Sequence, residues 1–393
     1  MLEDLRKNML KTKIIVLSLF ISFTAFCQTE NIKEMELKID SIIQDLDMTG
    51  LGIAVVKNDS IVYNQSFGYR ILPQNGNEGE PLENNDIFRI ASISKTFIAT
   101  AILQLIEGGK LSLDDDAQNY LRFPLRNPDF PNTPISIKML LTHTSSINDS
   151  RSWWSIDKIN PNVDSKYVEC YSNTIPGDKY KYCNMNYTIL GAVIEGVTKQ
   201  RFYDYVDVNI MKPLHLEGSF ICDRLDSTRF VKQYRYDENL HQYYEDSETY
   251  RPYTQIMGKN YVLGKSLGLA YPSSGMKISI MNLARYMMMH MNYGELNGVR
   301  IISEESEMLM QNNYVGKYNY GFSYRQYRGF SKDNVFYGQT GGGNGLRGAM
   351  IFEPSEKIGF VILCSGSQSK YIDGYEDIHK PLIKILYRYF NEK

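Results

Sequence analysis

Ser92 and Lys95 stand three residues apart in the stretch Asp86 to Gly109, DIFRIASISKTFIATAILQLIEGG. On a helix that spacing puts the serine hydroxyl and the lysine amine on one face, within reach of each other. A hydroxyl beside an amine is a nucleophile beside a base, provided the amine can shed its charge. Phe97 and Ile98 flank the lysine, and the start of a helix is the positive end of its dipole. Desolvation and dipole both favour the neutral amine. The same helix start offers unpaired backbone N–H groups to an oxyanion. Acyl transfer through a covalent serine is the chemistry that suits this arrangement.

The element that must position the pair is legible from its periodicity. Phe97, Ile98, Ala101, Ile102 and Leu105 recur at three- and four-residue steps, and Gly108-Gly109 supplies a stop, which predicts an amphipathic helix from Ser92 onward. Ser-x-x-Lys also occurs at Ser155/Lys158, Ser274/Lys277 and Ser367/Lys370. At those three, a solvated serine and lysine on one surface is the simpler account. Only Ser92 has an extended run before it, a long apolar helix behind it and an explicit helix stop.

Two further short patterns have suitable residue types: Tyr182-Cys183-Asn184, and Gln339-Thr340-Gly341-Gly342 at the end of a strand. Tyr-x-Asn alone says little, since it recurs at Tyr171/Asn173 and Tyr389/Asn391. The ordered set says more. Ser92-x-x-Lys95, Tyr182-x-Asn184 and Gln339-Thr340-Gly341, with LLTHTSS at Leu140 to Ser146 and YGQTGGGNG at Tyr337 to Gly345, closely resembles the serine β-lactamase and penicillin-binding superfamily. Within it the match is to the class C β-lactamase-related branch, which also holds D,D-carboxypeptidases, D-aminopeptidases and esterases. The resemblance runs from about Thr49 to the end of the chain.

That resemblance implies a role for each matching residue. Ser92 would be the acylated nucleophile, with Lys95 and Tyr182 the proton-transfer pair. Asn184 and Thr340 would hydrogen-bond the substrate amide and its polar neighbours, and the N–H groups of Ser92 and Gly342 would form the oxyanion hole. Gln339 opens the third motif, also at the substrate, where the family usually has Lys or His; Ser146 stands where a Gly is usual. A cation at 339 would attract a substrate carboxylate, so its loss weighs against β-lactam hydrolysis more than against serine acylation. Arg347, a few residues on, is the residue that could restore the charge. Tyr182, with an ordinary pKa of about 10, needs a cation such as Lys95 close by to act as a base.

The chain of 393 residues is 43% hydrophobic and 22% charged, enough for one large domain with a substantial core. Its formal charge of −2 gives no electrostatic case for nucleic acid or an anionic membrane surface. The expected partner is a small-molecule or peptide substrate; the oligomeric state is not legible. His143, His215, His241, His290 and His379 are scattered, and Cys170, Cys183, Cys222 and Cys364 match no zinc spacing, so neither metal nor cofactor is expected. The cysteines read as small buried hydrophobes, with one disulfide as the alternative in an oxidising compartment. Ile14 to Phe26 is an apolar run after Lys11 and Lys13, followed by Cys27-Gln28. It reads as a signal peptide over residues 1–27, too short for a membrane span, and predicts a periplasmic or secreted protein. Lipidation at Cys27 is the alternative, against which the bulky Phe26 argues.

In chain order, the pattern predicts a helix at Asn31 to Asp47 and a hairpin of Leu51 to Lys57 with Ser60 to Tyr69 turning at Asn58-Asp59. Leu72 to Asn85 reads as loop, Leu111 to Leu121 as helix, Ile135 to Leu141 as a short helix, and Trp153-Trp154 as a loop pair. A helix follows Tyr182, burying Tyr187, Leu190, Val193 and Ile194. Thr228 to Tyr271 is polar and tyrosine-rich, either a lid or carbohydrate-contacting surface, or a plain surface excursion. Then come helices at Met276 to Met291 and Ser303 to Asn312, strands at Tyr318 to Tyr327, Asn334 to Gln339, Leu346 to Phe352 and Ile358 to Cys364, and a helix at Tyr375 to Phe390.

Strands at both ends with helices between imply an α+β fold of β-lactamase/transpeptidase type. One antiparallel sheet would be built from the N- and C-terminal segments of a domain over residues 28–393, flanked by helices, with a helical insert at about 110–315. The function expected is a serine hydrolase cleaving an amide or ester through an acyl-enzyme on Ser92, with a cell-wall peptide, a D-amino-acid peptide or an ester as substrate. The alternatives are a β-lactamase proper and a non-catalytic protein that binds penicillin or cell-wall fragments.

Overall fold

Asn58 and Asp59 both adopt positive φ, 49° and 61°, which is the geometry a two-residue hairpin turn between right-twisted strands requires. They join Gly50–Lys57 to Ser60–Ile71. The computed structural model describes residues 31–391 except 75, 254–260, 344, 370 and 373–374. The signal-peptide reading of residues 1–27, with Cys27, lies outside them.

Gly50–Lys57 is flanked on its other side by Ile358–Cys364, so the two ends of the chain meet in one antiparallel sheet, with Ile53 opposite Ile362. Seven strands follow one another as Arg325–Tyr327, Phe336–Gly343, Leu346–Glu353, Ile358–Cys364, Gly50–Lys57, Ser60–Ile71 and Glu80–Pro81. Side chains alternate across a strand, and here both faces are apolar because helices cover both. Leu51, Ile53, Val55, Ile351 and Ile362 pack on Met35 and Ile39 of the helix at residues 31–45 and on Leu382 and Leu386 of the helix His379–Asn391. Ala54, Val56, Met350, Val361 and Leu363 face the helices Ser94–Glu107 and Ile280–Met291.

Ser94–Glu107 departs from the amphipathic expectation: every residue but Gln104, Ile106 and Glu107 is buried. Its polar residues are compatible with this because Thr96 and Thr100 return their hydroxyl hydrogens to Ile93 O and Thr96 O. Phe97 stacks on Tyr286 of Ile280–Met291 with ring centres 3.8 Å apart.

Other differences from the sequence reading have local causes. Leu111 to Leu121 contains only a 3-10 turn, Ala117–Tyr120. Asp115 accepts from Ser112 N–H and Asp116 from Gln118 N–H, and short acidic side chains that bond nearby backbone favour turns over helix. The strand expected at Tyr318 to Tyr327 forms only over Arg325–Tyr327, since Asn319 and Ser323 take positive φ. Lys277–Ser279 is a strand between Ile87–Arg89 and Gly218–Ser219, and the helix starts at Ile280, capped by Ser279. The last helix begins at His379 rather than Tyr375, which pairs in a short strand. Residues 110–315 thus carry helices together with short strands.

Within the tyrosine-rich segment, Tyr234–Asp237 pairs with Gln242–Glu245. Most of its described tyrosines are tied to the body: Tyr234 accepts from Leu72 N–H, Tyr243 donates to Asp47 O, and Tyr250 stacks on Phe230. Glu195 anchors the far end. Fully buried, it accepts from Phe202 N–H, Gly264 N–H and the Tyr261 hydroxyl. Glu195→Ala strands those donors, and a loss of about 3 kcal/mol in denaturant unfolding is expected; a variant as stable as wild type would mean the segment is held otherwise.

Candidate active site

Ser92 sits in a 3-10 turn, Ala91–Ile93, that runs directly into the helix Ser94–Glu107. Ala91 takes φ 44°, a left-handed conformation that costs a residue with a Cβ of order 1 kcal/mol. Lys95 follows one turn later, wholly buried. Its Nζ lies 3.1 Å from Ser92 Oγ, 2.8 Å from Asn184 Oδ1 and 2.9 Å from Ser273 O. Burial lowers its pKa from 10.5 to about 7, against the opposing pull of Asp149.

A neutral amine has two hydrogens and one lone pair. Asn184 Oδ1 and Ser273 O can only accept, so they take the hydrogens and the lone pair is left facing the Ser92 hydroxyl. Tyr182 completes the trio, its hydroxyl donating to Ser92 Oγ over 2.9 Å. Tyr182 is 36% exposed along its ring, but loss of water around its hydroxyl pushes the phenol above its ordinary pKa, so it is a proton donor at neutral pH and Lys95 is the group able to accept.

The strand Phe336–Gly343 passes close to Ser92 because it has glycine there. A Cβ on Gly341 would lie 2.3 Å from Ile90 O and 3.3 Å from Ser92 N. Gly342 is exposed immediately beyond, so the two backbone stretches carrying the expected oxyanion donors run side by side. Thr340 is half-buried on the same strand.

Gln339 and Asn184 are placed at the site but turned inward. Gln339 is 4% exposed; its Nε2 donates to Tyr320 Oη and its Oε1 accepts from Thr340 N–H. Tyr320 Oη also meets His143 Nε2 at 3.1 Å, and His143 Nδ1 accepts from Cys183 N–H. The proton of His143 is therefore on Nε2. Burial drives its pKa well below the ordinary value, so the ring is neutral. Where the resembling family usually carries Lys or His, Gln339, Tyr320 and His143 form a buried neutral network. Asn184 spends its Oδ1 on Lys95 and an Nδ2 hydrogen on Asp149.

Arg347 does not restore the missing charge at 339. Gln339 pairs with Met350, and Gly342 with Arg347. Alternation puts Arg347 on the face of Ala349 and Ile351, toward the terminal helices, and Gln339 on the opposite face with Met350. Arg347 instead lines an open cavity of about 950 Å³ beside Gly342, with Arg235 and His241. Trp153 packs edge-on to Trp154 and against Tyr271, and Trp154 is half exposed. Of the other Ser-x-x-Lys serines, Ser274 meets Arg89 and Ser367 donates to Ser369; Lys370 lies outside the described residues.

Asp149, Ser273, His143 and Tyr320 were not singled out for the site. The signal for two of them was present, since His143 lies inside LLTHTSS and Asp149 three residues past it. Among the described residues no group of His, Cys, Asp and Glu could hold a metal, the four cysteines are free and buried, and no helix is long and apolar enough to cross a membrane.

Comparison with known proteins agrees with this geometry. Protein flp of Staphylococcus aureus (strain MRSA252) is 32% identical over 191 residues, 47% of this chain and 38% of that protein, so the chain spans well under half the length of that relative. The octameric penicillin-binding protein homologue from Pyrococcus abyssi superposes with a TM-score of 0.70 at 23% identity, covering 91% of this chain and 76% of that one. The D-amino acid amidase from Ochrobactrum anthropi SV3, complexed with D-phenylalanine, superposes at 0.67 and 16% identity, covering 93% and 100%. These likenesses are of fold. Residues 37–379 match the family described as Beta-lactamase, and with that span the chain belongs to the Beta-lactamase family.

Proposed function

We propose that this protein is a serine hydrolase that cleaves an amide or ester through an acyl-enzyme on Ser92. The observation that carries the reading is the Lys95 amine, buried, poised near neutral pH and left with its lone pair on the Ser92 hydroxyl. Lys95 takes the Ser92 proton as Oγ attacks the carbonyl carbon. The N–H groups of Ser92 and Gly342 receive the oxyanion, and the leaving group departs with a proton relayed through Tyr182 and Lys95. Water then attacks the acyl-enzyme and returns Ser92.

The wall opposite bears on the substrate class. Gln339, Tyr320 and His143 are neutral and bonded to one another, so position 339 itself gives a carboxylate beside the scissile bond no cation, and the positive charges nearby are those of Arg325, which acts on Tyr182 and His143, and of Arg235 and Arg347 beyond Gly342. The missing cation at 339 supports an uncarboxylated ester or amide, such as a D-amino-acid amide, ahead of a β-lactam. The apolar run Ile14 to Phe26 supports a periplasmic or secreted setting.

The test is a panel comprising a p-nitrophenyl ester, a D-amino-acid amide, a D-Ala-D-Ala peptide and a fluorescent penicillin, with the adduct located by mass. Turnover of the first two with an acyl mass on Ser92 is expected; no adduct on Ser92 with any substrate overturns the reading. Gln339→Lys should shift selectivity toward carboxylate-bearing substrates by about tenfold, as expected for one added charge-assisted hydrogen bond. Unchanged selectivity in a folded variant would place the substrate elsewhere.

A further inference from the structure

The helix Asn184–Thr198 begins without help from its own N-cap, for Cys183 makes no side-chain capping bond. The cap comes from a loop 35 residues away. Asp149 Oδ2 accepts from Asn184 N–H at 2.8 Å and from Asn184 Nδ2 at 3.0 Å, while Oδ1 accepts from Met185 N–H at 3.0 Å and from Cys183 Sγ at 3.1 Å. All four neighbours donate, which suits a carboxylate that only accepts, placed at the positive end of a helix.

One of those four bonds reaches the chemistry. A carboxamide has a donor end and an acceptor end, and a carboxylate tolerates only the donor. With Nδ2 held on Asp149, Asn184 must turn Oδ1 to Lys95, which it does at 2.8 Å. If the amide were reversed, Nδ2 would donate to the Lys95 lone pair and an N–H of the amine would face Ser92. We infer that Asp149 is a positioning residue for the acylation step: it fixes the carboxamide of Asn184, and through it the direction of the Lys95 lone pair toward Ser92. The inference rests on the serine-hydrolase reading above.

The charge of Asp149 acts on the same amine. The titratable and charged groups facing Lys95 are Asp149 and Cys183, which favour its protonated form, Arg89, which opposes it, and the neutral His143, which the lysine charge helps to keep unprotonated, with the rings of Tyr182 and Tyr187 at 5.0 and 5.7 Å. Asp149→Asn removes the carboxylate and makes position 149 tolerant of either Asn184 orientation. Two changes follow together. The plateau of kcat/KM falls because part of the population holds the reversed amide. The acid limb moves to lower pH because the protonated amine has lost its carboxylate.

The experiment measures kcat/KM against pH on the p-nitrophenyl ester for the full chain, in wild type, Asp149→Asn, Asn184→Ala and the double variant. Asp149→Asn is expected to lower the plateau about 100-fold, the scale of a misdirected general base, and to move the acid limb down by about one pH unit. In the Asn184→Ala background the same change should lower the plateau less than about threefold, since the group it acts through is gone. Asp149→Ser keeps a neutral cap and serves if the Asn variant does not fold, with the same limb shift expected. An unmoved limb in a folded variant, or equal losses in both backgrounds, reduces Asp149 to a helix cap and overturns the inference. Ser92→Ala separates the two failures: turnover that survives it sinks the hydrolase reading itself.

Discussion

Ser92→Ala is expected to abolish turnover and covalent labelling, with kcat on the ester down by on the order of 10⁴ or more, while the melting temperature stays within a few degrees of wild type. The hydroxyl is the only atom group removed, and its partners are Lys95 Nζ and Tyr182 Oη. Ala fits the 3-10 turn without new contacts, and the amine keeps Asn184 Oδ1 and Ser273 O. The same change at Ser155, Ser274 or Ser367 should do neither. Ser155 makes no capping bond, the Ser274 hydroxyl accepts from the Arg89 guanidinium, and the Ser367 hydroxyl donates to Ser369. Mass spectrometry after a fluorescent penicillin or an ester decides it: an adduct on the Ser92→Ala protein would assign the nucleophile elsewhere.

The sequence carried the parts of the fold that periodicity and turn chemistry encode locally. Asn58-Asp59 announces its hairpin because both residues tolerate positive φ, and Ile358 to Cys364 announces a strand because it is apolar and β-branched between turns. What a local pattern cannot show is which elements lie on either side. Ser94–Glu107 looks amphipathic in isolation, yet neighbours close on its polar threonines as well. Three successive acidic residues, Asp114 to Asp116, look compatible with helix until their side chains bond nearby backbone.

The site divides along the same line. Ser92, Lys95 and Tyr182 stood out by spacing and by their order in a family pattern, and the structure brings Lys95 Nζ and Tyr182 Oη within 3.1 Å of Ser92 Oγ. Asp149 and Tyr320 were not. Asp149 lies three residues past LLTHTSS, but neither that position nor a tyrosine among 30 says which side chain each will meet until folding sets one on Asn184 and the other on Gln339. Gln339 itself was legible only as a departure from a family pattern. Which way its carboxamide points depends on a residue 19 positions earlier.

Lys95→Met should cost on the order of 10³ or more in kcat/KM, since the variant keeps the side-chain bulk and loses the base. Its pH behaviour is more diagnostic than its rate. In wild type the folded-state pKa is about 7 against the ordinary 10.5. Below about 7 the amine is charged and inactive, so kcat/KM must rise through an acid limb near pH 7. Tyr182, raised above its ordinary value, puts the loss of its donor hydrogen beyond pH 10. Stability carries the same signature. Between about 7 and 10.5 the unfolded chain binds the lysine proton and the folded chain does not. Wild-type unfolding free energy therefore gains roughly 1 kcal/mol per pH unit from this group as pH rises across that window. Below pH 7 both states are protonated and the whole cost of burying the ammonium is present. Lys95→Met has no such proton, so the stability difference between wild type and variant should move in favour of wild type from pH 7 to 9.5. Urea unfolding of both proteins across that range measures it. Parallel curves would mean that Lys95 keeps its proton in the folded state, and with it the case for a lysine base would fall.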